Sequence, residues 1–79
     1  LYPALLNSTR LLKRGVSGND VKDLQSFLNK QLSLNLIADG QWGSKTEVAV
    51  SVFQTKYKLK VDGIVGIQTR GFISQLLAQ

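Results

Sequence analysis

The stretch Asp39-Gly40-Gln41-Trp42-Gly43-Ser44-Lys45-Thr46 returns 23 residues later as Asp62-Gly63-Ile64-Val65-Gly66-Ile67-Gln68-Thr69. Both copies share the frame Asp-Gly-x-x-Gly-x-x-Thr, and the residues that follow also correspond. Thr46, Ala49, Val50 and Phe53 in the first copy match Thr69, Phe72, Ile73 and Leu76 in the second. Their spacing of i, i+3, i+4, i+7 is that of one helix face turned to a core. A glycine-cornered loop running into an amphipathic helix is therefore used twice, and a repeat of this kind sets the architecture.

With 79 residues there is room for one small domain. The chain has no cysteine and no histidine, so neither a disulfide nor a structural zinc site can brace it. Stability has to come from helix packing and turn chemistry, for which a hydrophobic content of 43% is sufficient. Ten Lys and Arg against five Asp and Glu give a net charge of +5, concentrated before residue 62. That balance suits an anionic partner without choosing one, and it also serves solubility. No apolar run is long enough to cross a membrane. The chain begins with Leu1 and carries no intact signal peptide, so a piece of something longer is expected.

In chain order, Leu1 to Leu12 reads as a turn of helix and an extended arm, with Leu5, Leu6, Leu11 and Leu12 available for packing. Lys13 to Asp20 is a loop in which Asn19 or Asp20 can cap the next helix. The first main helix is expected over about Asp20–Gln31, with Val21, Leu24, Phe27 and Leu28 inward and Lys22, Asp23, Ser26, Asn29 and Lys30 in water. Leu34, Leu36 and Ile37 in the following connector are expected to plug the core. Ser44 with Glu47 reads as a capping box, and Gly43 at the N-cap is the alternative. That second helix should reach Tyr57 or Lys58, where Lys56, Lys58 and Lys60 suit the helix dipole. The third runs from Ile67 or Gln68 to Leu77. Gly71 inside it predicts a close neighbour, since glycine there costs about 1 kcal/mol relative to alanine. Val21-x-x-Leu24-Gln25 echoes Val50-x-x-Phe53-Gln54, each setting a glutamine beside two core residues. The whole is all-α, a small three-helix bundle with an internal loop-helix repeat and a core over about residues 11–77.

Catalytic chemistry has little to work with. Without His or Cys, the Ser-His and Cys-His nucleophiles and zinc hydrolysis are excluded within this chain. Asp39 and Asp62 resemble a glycosidase pair only in number; an Asp before Gly belongs in a turn for structural reasons. The two Gly-x-x-Gly loops lack the Gly-Lys-Ser/Thr of a phosphate loop. A recognition helix for nucleic acid would want a basic outer face, yet Val48 and Val52 lie on that of the second helix. Trp42, Tyr57, Gln41, Gln54 and Gln68 offer rings and amides for a sugar or peptide, although Val65 at the position matching Trp42 marks that slot as core.

Leu12-Lys13-Arg14-Gly15-x-x-Gly18-x-Asp20-Val21-x-x-Leu24-Gln25-x-x-Leu28, then Ala38-Asp39-Gly40-x-Trp42-Gly43-x-x-Thr46-x-x-Ala49-Val50-x-x-Phe53-Gln54, then Leu59-x-Val61-Asp62-Gly63-Ile64-Val65-Gly66-x-x-Thr69 form an ordered set. It resembles the peptidoglycan-binding domain that accompanies bacterial and phage cell-wall hydrolases. The resemblance implies non-covalent attachment to peptidoglycan, through stem peptide, glycan or both, on behalf of a covalently linked catalytic domain. It implies a periplasmic, wall or extracellular setting. The same fold is similar to the propeptide of matrix metalloproteinases, whose zinc-blocking cysteine this chain lacks. Ser44 and Ile67 stand where many members have proline, and Arg70 where many have an aromatic residue.

On these grounds a shallow cleft is expected near the two loops, drawing ligand contacts from Gln41, Trp42, Lys45, Gln54, Tyr57, Gln68 and Arg70. Asp39, Gly40, Gly43, Thr46, Asp62, Gly63, Gly66 and Thr69 are expected to shape the loops. Neither a cofactor nor a metal is expected, nor nucleic acid or membrane insertion, and the expected state is a monomer. Arg70→Ala should weaken wall binding with little change in melting temperature. The competing reading is a basic helical module for nucleic acid or a partner protein.

Overall fold

The computed structural model describes residues 2–79; Leu1, assigned above to the N-terminal arm, lies outside them. Four helices follow one another: α1 (Pro3–Asn7), α2 (Asn19–Leu32), α3 (Ser44–Lys56) and α4 (Ile67–Leu77). The last three are the expected bundle, within a residue or two of the expected ends, and α1 is the short N-terminal turn.

Burial follows the helix period. Val21, Leu24, Phe27 and Leu28 of α2 pack against Ala49, Val50 and Phe53 of α3 and Ile73 of α4. Leu5, Leu12, Trp42 and Val65 complete the same cluster, so the core begins before residue 11. Aromatic rings run through it as a chain of tilted and edge contacts. Tyr2 meets Phe27 at 5.7 Å, Phe27 meets Phe53 at 5.6 Å, and Tyr57 meets both Phe53 and Phe72 at 4.9 Å. Offset and edge geometry suits ring quadrupoles and adds about 0.5–1.5 kcal/mol per pair beyond area burial.

Two isolated antiparallel bridges tie the loops to the segment ahead of α2. Leu12 pairs with Val65, and Ser17 pairs with Gln41. The registers differ: Leu12 and Val65 exchange both bonds, at 2.8 and 3.2 Å, whereas Ser17 and Gln41 are flanked by Gly18 N to Gly40 O at 2.9 Å and Trp42 N to Val16 O at 3.1 Å. Each repeat thus carries one short extended contact, at Val65 in the second and one position earlier, at Gln41, in the first.

Several expectations change. The capping box does not form: Gly43 is the N-cap of α3, without a side-chain cap, and Glu47 pairs with Arg14 at 2.9 Å instead. Gly18 occupies the N-cap of α2. Asp23 does not face water; its Oδ2 accepts from the amides of Ala4 and Leu5, holding the start of α1. Asn29 likewise turns to the connector, donating to Leu36 O and accepting from Leu36 N. That pin sets which way the connector faces, and Ile37 is left 79% exposed rather than plugging the core. Leu6 and Leu11 are exposed too. Gly71 has no neighbour where a Cβ would stand, so no close approach accounts for it.

Candidate functional site

Both loops are closed from beneath by a buried glutamine. Gln25 Nε2 of α2 donates to Gln41 O at 2.8 Å, to Thr46 Oγ1 at 3.0 Å and to Asp39 Oδ1 at 3.3 Å, while its Oε1 accepts from Gly40 N at 2.9 Å. Gln54 of α3 repeats this on the second loop. Its Nε2 donates to Asp62 Oδ1, Ile64 O and Thr69 Oγ1 at 2.9, 3.0 and 3.1 Å, and its Oε1 accepts from Gly63 N and Asp62 N. Each Asp also accepts from the amide two residues on, Gln41 for Asp39 and Ile64 for Asp62. These amide bonds lead the causes that hold both carboxyls below the usual range. The frame Asp-Gly-x-x-Gly-x-x-Thr is therefore the imprint of one glutamine side chain. Its carboxylate, carbonyl and hydroxyl receive the amide N–H groups, and its glycine N–H supplies a donor.

Positive φ is required at Gly40 and Gly63, at 79° and 70°. A Cβ on Gly40 would stand 3.0 Å from Gly18 O, whereas one on Gly63 would meet Glu47 Cγ at 3.3 Å.

The expected ligand residues do not converge. Gln54 is 0% exposed with its amide engaged in the second loop, and so is no ligand contact. Trp42 is 4% exposed and lies in the core, its Nε1 without a hydrogen-bond partner among the described residues. Tyr57 is half-buried in the aromatic chain, and its hydroxyl accepts from Gln31 Nε2 at 2.8 Å. Gln68 is exposed and its Oε1 accepts from Lys60 N. Arg70 is a tether. Its guanidinium donates to the carbonyls of Leu5, Ser8 and Arg10, fixing the N-terminal segment to α4, and partial burial lowers its pKa. Arg10 in turn pairs with Asp20 at 2.9 Å. That bond and a second from Ser8 hold the Asp20 carboxyl down at about 2, against the cost of burial.

Gln41 and Lys45 remain exposed and lie together. With Asn35, Ile37, Asp39 and Ser44 they line a cavity of about 360 Å³ between the connector and the first turn of α3. A second cavity of about 390 Å³ shares Asn35, Leu36, Ser44 and Lys45 and continues along α3 past Leu34, Val48 and Val52. The two form one trough, polar at the loop and apolar beyond it. Lys45 makes no ion pair among the described residues. The sequence reading passed over Val48 and Val52 as misfits on a nucleic-acid face. The available signal was two valines lying off the stripe of Thr46, Ala49, Val50 and Phe53; in the structure they are 62% and 48% exposed. A third cavity, of about 530 Å³, shares Val48 and Val52 with the trough and opens toward the second loop; Glu47 and Asp62 against Lys56 on its rim match an acidic ligand poorly.

The sequence family described as "Putative peptidoglycan binding domain" matches residues 17–73. The chain belongs to the peptidoglycan-binding domain family. It is 40% identical over 63 residues to the spore cortex-lytic enzyme of Bacillus cereus, covering 80% of this chain and 24% of that protein. It is 40% identical over 67 residues to the zinc D-Ala-D-Ala carboxypeptidase of Streptomyces albus G, covering 82% of this chain and 26% of that one. The chain thus spans about a quarter of each. Among solved structures, the N-terminal domain of SleB superposes with a TM-score of 0.81 at 36% identity, over 87% of this chain and 94% of that domain. As a member of this family, the chain is a binding module with the helical fold of that domain.

Proposed function

We propose that this domain binds bacterial peptidoglycan through the trough between residues 34–37 and α3, and that it holds an attached wall hydrolase against its substrate. The observation that carries the placement is the state of Lys45. It is the one exposed base at the start of α3, it stands beside the free amide of Gln41, and both open onto a cavity. Arg70, the basic alternative, is engaged on backbone carbonyls. An ammonium group beside side-chain amides suits the carboxylates and amides of an acidic polymer. Both rims of the trough come from one chain, so a monomer suffices. The family's relatives include a cortex-lytic enzyme and a carboxypeptidase. Tethering such an enzyme to a polymer of repeated sites raises local substrate concentration, so modest affinity is enough. The domain's place is then the bacterial envelope or its outside.

Co-sedimentation with purified sacculi, beside a gel shift on duplex DNA, tests this. The domain is expected in the sacculus pellet with no shift of DNA. Lys45→Glu is expected to lower sacculus binding at an unchanged melting temperature. Equal binding by that variant would move the site off the trough, and tight DNA binding without sacculus binding would overturn the function.

A further inference from the structure

We infer that what the trough recognises is the stem peptide, with a carboxylate at Lys45 and short aliphatic side chains against Val48 and Val52, and not the glycan strand. This rests on the peptidoglycan reading above. The first ground is where the aromatic residues are. A sugar face is covered by an open ring face, and all six aromatic residues of the chain are accounted for otherwise. Phe27, Phe53 and Trp42 are buried. Tyr2, Tyr57 and Phe72 are half-buried and packed ring to ring. No exposed ring remains among the described residues.

The second ground is the lining of the trough. Past a polar mouth of Asn35, Ser44 and Lys45 it is lined by aliphatic groups: Leu34, Leu36, Val48, Ala49 and Val52. That aliphatic part fits alanine-sized methyl groups, and a hydroxyl-rich sugar ring seated on it would find hydrogen-bond partners only at the mouth. The third ground is that the scaffold does not require these valines. In the second copy the positions matching Val48 and Val52 hold Gly71 and Gln75, and α4 forms regardless. Lys45 is the base of the trough and the group that can meet a carboxylate; Asp39 stays ionised at the loop end, with Oδ1 bonded to Gln41 N and Gln25 Nε2.

The test uses the domain with intact sacculi, with glycan strands freed of peptide by an amidase, and with a soluble stem tetrapeptide. Intact sacculi should sediment the domain, and peptide-free glycan should retain it at least tenfold less. The tetrapeptide should compete and shift the amide resonances of Lys45, Val48 and Val52. A Val48→Ser, Val52→Gln double variant should bind at least tenfold more weakly with its thermal midpoint held. Equal retention on peptide-free glycan, or peptide shifts confined to another face, overturns this inference while the peptidoglycan reading stands. Failure to bind intact sacculi removes both.

Discussion

Gln25 beneath the first loop and Gln54 beneath the second bond to corresponding atoms of Asp39 and Asp62, Gln41 and Ile64, Thr46 and Thr69. One turn further on the copies differ. Glu47 of α3 holds Arg14 across exposed surface, while the matching Arg70 of α4 reaches the N-terminal carbonyls. Lys45 opens onto the trough, while the matching Gln68 closes on Lys60. Val48 and Val52 are answered by Gly71 and Gln75. A duplicated corner therefore leaves the outward helix face free to diverge: the second copy braces the domain, and the first is available for a ligand.

The sharpest way to break the equivalence of the corners is to remove each glutamine. Gln54→Leu and Gln25→Leu each strand buried amides and carbonyls, at a cost of about 3–5 kcal/mol. A domain of this size has a total stability of roughly 4–12 kcal/mol, so the urea midpoint of both variants should fall by a quarter or more. A neutral Gln25→Leu would mean that only the second loop is locked from beneath.

Next come the glycines, which should separate the copies. Gly63→Ala should cost about 1–2 kcal/mol for its left-handed backbone, because the Glu47 side chain can yield. Gly40→Ala should cost roughly 1 kcal/mol more, since the atom facing it is a backbone carbonyl. Equal midpoints in urea would show that the Gly18 segment moves freely.

Arg70→Ala should lose about 1–2 kcal/mol, the reverse of the sequence expectation that its melting temperature would hold. Glu47→Ala, at the matching position, should lose under about 0.5 kcal/mol as an exposed pair. The difference between the two denaturation midpoints measures how far bracing is confined to the second copy. Of opposite sign, Gly71→Ala should gain about 0.5–1 kcal/mol, because a Cβ there meets nothing. A loss would reveal a constraint on α4 that its surroundings do not show.

How much of this could be read from the sequence depends on the range of the interaction. The corners were legible because glycine and aspartate declare a turn locally; Val65 pointed to the burial of its mate Trp42, although Trp42 was still counted among the ligand contacts. Gln25 and Gln54 showed only as an echo beside core residues; a glutamine's burial follows from partners 14 or more residues away for Gln25. Arg70 was misread because its acceptors lie 60 to 65 residues distant. Ile37 was misread because one side chain, Asn29, decides which way a short connector faces. The trough was illegible for the same reason, being made by two elements that only the folded chain brings side by side.

The Arg70 tether bears on where this domain can be cut. The family match starts at residue 17, yet Leu5 and Leu12 are inside the core and Arg70, Asp20 and Asp23 all grip residues 4–10. A version trimmed to the matched span would expose an apolar hollow over Phe27 and leave a guanidinium without acceptors. Anyone grafting this module onto another enzyme should carry the preceding segment along with it.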